Sequence, residues 1–410
     1  MTATFPIRYV RGNVLIGPGG DAAALYRLRM TSYPFLATAE KWALQRRLQR
    51  LAHTVSADFS LWRVNRFYPA ESYVANTALL LDERHQAPAA WRSFLEGHRE
   101  RLRELGSHVP EVYLGVSLQR NAPTGVGSGV VRGMDRARRR VEELAGIGAA
   151  SPISAGELSD LLAHEERVFE RVRGVLPARR ARTIELQWLL RRAACRGVEE
   201  PQLDAHWEPD ALVVSAPGGG VGFEPLACDL QRCANAAITE QDRTLIVDGE
   251  QGRCYQAMLA LGSLADSPQF PGSGAEILFA PLEAVPWPVD SVLHAQWLGN
   301  RQALSAVRKR IADVEHTYAE QVQGAAHGPT LLAAEDRVLA REYEAELQAG
   351  GHPPMLYAFI GLAVGARTED ELERRVSILR EQYGDVQLHR PAGLQHRLWS
   401  EHLPRPDGWL

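Results

Sequence analysis

The chain has 410 residues, 45% of them apolar and 23% charged, with a net charge of −4. That is too long for one ordinary core and has the composition of a globular protein, which excludes fibrous and disordered classes. No apolar run reaches the about 18 residues of a membrane span and the N-terminus lacks a charged-then-apolar signal pattern, so the chain is expected to fold in the cytoplasm.

The charge is unevenly placed. Residues 1–200 hold 30 Lys+Arg against 21 Asp+Glu, or +9, whereas 201–410 hold 16 against 29, or −13. A basic half can meet an anionic membrane face, nucleic acid or its own acidic half, or it can simply be solvated. Lys41 and Lys309 are the sole lysines. Cys195, Cys228, Cys233 and Cys254 form no C-x-x-C pair, so they read as buried free thiols rather than a zinc ribbon or a disulfide framework.

In chain order, IRYVRGNVLI (7–16) and ALYRLRMTSY (24–33) predict strands about a GPGGD turn. Thr38 is placed to cap a helix with Trp42, Leu44, Leu48 and Leu51 along one side. FSLWRVNRFY (59–68) alternates with period two and predicts a half-buried strand; 89–105 predicts a helix and EVYLGVSLQ (111–119) a strand. The order β-β-α-β-α-β predicts an α+β sandwich, one sheet covered on one face, for a basic module over 1–120.

Residues 121–200 change character. NAPTGVGSGVVRG is a Gly-rich linker, followed by helical stretches over 156–176 and 180–198 separated by Pro177. In the second, Ile184, Leu186, Trp188, Leu189 and Leu190 are apolar, Arg191 and Arg192 suit the C-terminal end of the helix dipole, and Gly197 suits a stop. A helical hairpin bridging two sheet modules is expected.

The second module, 201–392, is β-rich at first, with strands predicted at ALVVSAP, TLIVDG, RCYQAMLALGSL and AEILFAPL. Two long helices follow, 289–322 and 330–350, broken at Gly324–Pro329. MLYAFIGLAVGA (355–366) is apolar on both faces and predicts a central strand. Thr368 and Glu371 form a capping box for a helix whose buried stripe is Leu372, Val376 and Leu379. DVQLH (385–389) predicts a last strand, and 393–410 a terminal helix with a Pro-rich linker. From about 253 the order is again β-β-α-β-α-β, so the two modules are expected to be copies of one unit.

Candidate chemistry is sparse. A P-loop needs G-x-x-x-x-G-K-[ST], and Lys41 follows Glu40 while Lys309 follows Arg308, so neither is that lysine. PTGVGSGVVRG (123–133) fails G-x-G-x-x-G at Arg132 and Val130, and PGGGVGFEP (217–225) precedes no helix; both read as loops. His164-Glu165-Glu166 has Val168 where a zincin needs a second His, and His389, His396 and His402 lack ligand spacing. No G-x-S-x-G occurs. The arginine clusters Arg136, Arg138, Arg139, Arg140 and Arg179, Arg180, Arg182 could meet phosphates, but Glu142 and Glu143 follow the first and no aromatics interleave, so a solvated helical face is the reading. No catalytic, cofactor-binding or metal-ligating residue is assigned.

The C-terminal third resembles the end of the N-terminal region of conjugation and type IV secretion ATPases, the family of the TraC, TrbE and CagE proteins and the ATPases of the VirB systems. The matching elements are the strand MLYAFIGLAVGA, the helix with Thr368, Glu371-Leu372, Val376 and Leu379, and the closing Leu403-Pro404. NVLIGPGGDAAALYRL resembles the family's opening strand pair, and the arginine bias resembles actinobacterial members. In the family a RecA-like ATPase domain follows the "L-P". The resemblance implies a platform without its motor: ATP and Mg belong to the following domain, and no family catalytic residue maps here. The implied role is docking the ATPase on the inner face of the cell membrane beside other secretion subunits, and self-association. A self-contained enzyme and a nucleic-acid binder stand as alternatives.

Overall fold

The computed structural model describes residues 6–18, 20–29, 33, 36–67, 70–79, 88–104, 108–118, 152–215, 220–226, 230, 232–262, 270–271, 276–277, 280–324, 330–349, 353–384 and 386–406. The expected first strand is a hairpin, β1 (Tyr9–Arg11) and β2 (Val14–Ile16), turned by Gly12 at φ +58°. Then come β3 (Ala22–Leu28), α1 (Thr38–Val55), β4 (Phe59–Phe67), α2 (Ala70–Leu79), α3 (Pro88–Glu104) and β5 (His108–Ser117). The middle of the chain supplies β6 (Ile153–Ser154), α4 (Ala155–Arg173), β7 (Ala178–Arg180), α5 (Thr183–Arg192), β8 (Ala211–Ser215) and β9 (Val221–Pro225). The rest is β10 (Ala236–Gln241), β11 (Thr244–Gly249), β12 (Gly252–Leu261), α6 (Ala280–Glu283), β13 (Val289–Leu298), α7 (Asn300–Gly324), α8 (Leu331–Gln348), β14 (Met355–Ala366), α9 (Glu369–Tyr383), β15 (Leu388–His389) and α10 (Gln395–Glu401).

The fold is α+β and its main sheet is palindromic. Strand order is β1-β2-β3-β5-β4-β13-β14-β12-β11-β10, with β7 pairing β3 and β15 pairing β12. Read from either end, two meander strands lead to a third, then to the last strand of the unit, then to the middle one. The units meet where β4 pairs antiparallel with β13, Leu61 opposite Leu293. The helical pair α2/α3 between β4 and β5 answers to α7/α8 between β13 and β14. Two like units are therefore present in one continuous sheet, but the second runs over β10–β14 from Ala236 rather than from about 253, and its elements differ from the β-β-α-β-α-β order expected. A small second sheet, β6-β9-β8, stands apart.

Both faces of the sheet are covered, not one. On β3, Leu25 faces one core while Ala24 and Tyr26 face another, as the period-two pleat requires. The first core spans both halves and buries Trp62, Tyr113, Met258, Val292 and Ala363 under α5 (Leu186, Trp188, Leu189, Leu190) and α10 (Leu398, Trp399), with Leu403. On the opposite face, Leu51 and Val55 of α1 and Val168 and Val172 of α4 cover the first half. Leu282 of α6 and Leu372, Val376 and Leu379 of α9 cover the second. Each such buried side chain contributes roughly 1.5–3 kcal/mol. The helices expected as a hairpin, α4 and α5, thus lie in different cores.

Other expectations are corrected. Residues 289–298 are not the start of a helix but the strand β13, whose Asp290, Ser291 and His294 are buried. Gly299 separates it from α7. The strand expected at AEILFAPL (275–282) gives way, where the segment is described, to the one-turn helix α6 at its end. Ala37, not Thr38, is the N-cap of α1; Glu40 accepts from the Ala37 N–H at 2.9 Å. Trp42 and Leu48 are exposed because the core beneath α1 begins only at Leu51. Thr368 caps α9 by accepting from the Glu371 N–H at 3.3 Å, but Glu371 turns to the Arg367 N–H and Arg375 rather than back to Thr368. The strand β14 is central as expected, paired with β13 and β12.

Two glycines let the segment after α5 cross the sheet. Gly197 sits at φ +86°, and a Cβ there would lie 2.2 Å from the Ala366 N; a Cβ on Gly365 would lie 2.2 Å from the Arg196 carbonyl oxygen. Only paired glycines permit that approach. The crossing delivers Arg192 and Arg196 to the middle of the sheet.

Candidate functional site

Of the sequence-flagged arginines, Arg179 and Arg180 are tied to carboxylates. Arg180 donates to both oxygens of Glu165 at 2.8–3.0 Å and to Glu166 at 2.6 Å, and Asn13 donates to Glu165 at 3.0 Å. Arg179 donates twice to Glu185 at 2.5 and 2.8 Å, and Arg27 bridges Glu185 at 2.6 Å to Glu111 at 2.8 Å. Burial alone would raise the Glu185 carboxyl, but Arg179, the Arg182 N–H and Arg27 pull it down to about 2. Charge-assisted pairs of this kind commit Arg179 and Arg180 to carboxylates, while Arg182 stays exposed, 3.7 Å from Glu185. Arg136, Arg138, Arg139 and Arg140 lie outside the described residues, as does the glycine cluster 123–133. Of the second glycine cluster, Val221–Pro225 is the strand β9, with no helix N-terminus behind it.

The histidines do not converge. His164 is on α4 beside Arg167, His389 is on β15, His396 stacks on Trp399, and His402 is buried. Among the described residues no group of three His, Cys, Asp or Glu is placed to hold a metal ion. Cys195, Cys233 and Cys254 are buried free thiols, and burial pushes the Cys195 thiol up to about 12. Such thiols are poor nucleophiles. Cys228 lies outside the described residues.

What the sequence reading missed is a polar seam along the β4–β13 junction, beneath α5 and α10. Asp290 accepts from the Asn65 N–H at 3.1 Å, from Arg196 Nε at 2.9 Å and from Arg192 Nε at 3.3 Å. Burial opposes its ionisation, yet the two guanidiniums hold its carboxyl below the usual range. Further along, Ser60 and His294 are cross-strand partners with Oγ and Nδ1 2.6 Å apart, and His294 Nε2 faces the Glu401 carbonyl oxygen at 2.9 Å and a Glu401 carboxylate oxygen at 3.4 Å. Burial, then Arg196, drives His402 well below the ordinary imidazole range, so it is neutral.

Ser60, His294 and Glu401 have the residue types of a nucleophile, base and carboxylate. Their setting is structural. Ser60, the second residue of β4, has its backbone committed to ladders on both sides, so its N–H cannot help form an oxyanion hole. His294 and Glu401 are each 1% exposed, sealed by α10. The seam joins the halves and holds the terminal helix.

An open cleft of 280 Å³ lies between the β10–β11 turn and α9. Arg390 anchors its floor, donating to Glu373 at 2.6 Å, to Thr244 Oγ1 at 2.7 Å and to the Arg243 carbonyl oxygen at 2.7 Å. Arg243 and Arg380 line it with Asp242, Glu369 and Glu373. Cations and carboxylates balance there. No protein-family model matches the chain, and no curated protein matches it significantly. Among the described residues no helix is long and apolar enough to cross a membrane.

Proposed function

We propose that the chain is an assembly platform rather than a catalyst, the N-terminal region of a type IV secretion or conjugative-transfer ATPase that places its motor against an inner-membrane complex. The observation that carries this reading is where polar chemistry sits. The described acidic and basic clusters inside the fold are neutralised against one another, in the Asp290 seam and around Glu165 and Glu185. Exposed apolar side chains instead lie at the periphery, on α1, α2, α3, α7 and α8 and on the small sheet at Leu212, Val213 and Val221. That is the distribution expected of a scaffold, whose partners are other subunits of the machinery, further copies of itself and an anionic membrane surface.

The test uses the whole chain, because its two halves share a sheet. The platform reading expects no ATP hydrolysis by these 410 residues and co-flotation with phosphatidylglycerol vesicles, but not phosphatidylcholine vesicles, that fades as salt shortens the Debye length. Magnesium-dependent ATP hydrolysis overturns it. Steeply salt-dependent DNA binding without vesicle binding favours the nucleic-acid alternative instead.

A further inference from the structure

The helix α8 has two unlike sides. Toward α7, Leu347 and Ala340 pack with Ala303, Val307 and Ile311, and the cations Arg337 and Arg341 both reach Glu315. At 3.6 residues per turn, Glu335, Val338, Leu339, Glu342 and Glu346 share the opposite side. There Val338 is 56% and Leu339 61% exposed, with Tyr343 at the margin 41% exposed. None of Glu335, Glu342 and Glu346 is paired with a cation among the described residues. A solvated helix face would be polar throughout; an acidic face with bare Val and Leu in its middle is shaped for a cationic, partly apolar partner.

The same chain carries such a surface. On α1, Arg46, Arg47 and Arg50 are exposed and none is paired with a carboxylate among the described residues. The helix's only carboxylate, Glu40, closes its own first turn. Trp42, 40% exposed, precedes Arg46 by one turn, and Arg50 follows by another, so the three form a stripe.

We propose that the outer face of α8 docks on α1 of a second copy of this chain. The pairing sets Glu335, Glu342 and Glu346 against Arg46, Arg47 and Arg50, with Val338 and Leu339 against Trp42 and the arginine stems. An isologous contact through either face is disfavoured, since it would bring carboxylates to carboxylates or guanidiniums to guanidiniums. Each face therefore needs its complement on the second copy, supplied either reciprocally in a two-fold pair or head to tail in a ring or filament. The +9 and −13 halves steer approach in the same sense. The proposal rests on the assembly reading above but is read out separately from ATP hydrolysis and vesicle binding.

Sedimentation velocity of the full chain tests it, at concentrations up to about 100 μM because a small interface is weak. The unmodified chain is expected to associate at low salt, at least about tenfold less tightly in high salt. Glu335→Lys/Glu342→Lys/Glu346→Lys and Arg46→Glu/Arg47→Glu/Arg50→Glu should each weaken association by about tenfold or more, and the six changes combined should restore it. All six sites are exposed, and unchanged thermal melting confirms folding; Val338→Gln/Leu339→Gln is the uncharged second probe, with the same loss expected. A chain monomeric throughout, association that survives either reversal, or a six-fold variant that stays monomeric overturns the contact. So does the result that the α1 reversal abolishes vesicle flotation while leaving self-association intact, which would assign α1 to lipid.

Discussion

Replacing Asp290 by Asn keeps the shape of the side chain and removes its charge. Arg192 and Arg196, whose side chains are 2% and 4% exposed, would then face each other in the core without a counter-ion. Removing one partner of a buried ionic group costs about 3–5 kcal/mol, because the cost is that of the stranded charge rather than of one hydrogen bond. At about 2.1 cal/mol/K of unfolding entropy per residue, a two-state chain of 410 residues loses about 4–6 °C of melting temperature. Circular-dichroism melting at neutral pH measures it. The pH dependence has a definite sign. The folded Asp290 carboxyl lies below its unfolded value, so its stabilisation is fully present above the unfolded pKa of about 3.9 and is lost as pH falls through the lower folded value. The melting curves of parent and variant should therefore converge in acid. Combining Asp290→Leu with Arg192→Met and Arg196→Met should recover most of the loss, since an apolar core of similar volume tolerates the site. A loss below about 1 kcal/mol for Asp290→Asn at neutral pH would refute the account of a dry, fully compensated cluster.

Three further outcomes are expected. Gly365→Ala should destabilise the protein by about 1–3 kcal/mol or more, because the methyl group meets the backbone carbonyl of Arg196, whereas Gly156→Ala, with open space around it, should be close to neutral; chemical denaturation compares the two. Trp399→Ala should cost about 3–5 kcal/mol by denaturant titration, since it empties a site in the central core and removes the indole that donates to the Ala193 carbonyl at 3.0 Å. Cys195 and Cys254 should stay unlabelled by a thiol reagent at pH 8 in the native protein and react after unfolding, as peptide mapping will report, because burial raises both thiols.

Much of the fold could be read from local pattern. The stripe Leu372, Val376 and Leu379 after Thr368 became α9, and the doubly apolar 355–366 became a central strand, because each is decided by burial that its own residues announce. The strand β13 was illegible for the opposite reason. Its Asp290, Ser291 and His294 look like the polar side of a helix that runs on into α7, and their compensating partners lie far away in sequence: Arg192 is 98 residues off and Glu401 107. Charge spacing misleads in the same way around Arg179 and Arg180. Three arginines in four residues resemble a phosphate site until the fold brings Glu165, 15 residues earlier, onto Arg180. Trp42 and Leu48 fit an apolar helix side, yet both stay exposed, Trp42 meeting Phe270 edge-on; periodicity reports which side could be buried, not how far the neighbouring layer extends.

The palindromic sheet has a consequence for how such a protein arises and how it fails. Joining two like units through β4 and β13 pairs, over five residues of each, a strand edge that each unit would otherwise leave open. A unit separated from its sibling would present that edge as a template for any other strand, most readily its own duplicate, and a tandem gene fusion would capture such a pairing in a single chain. Expression of either half alone is thus an invitation to domain-swapped dimers and aggregation, and the segment carrying Arg192 and Arg196 serves as the clasp that makes the fused partnership permanent.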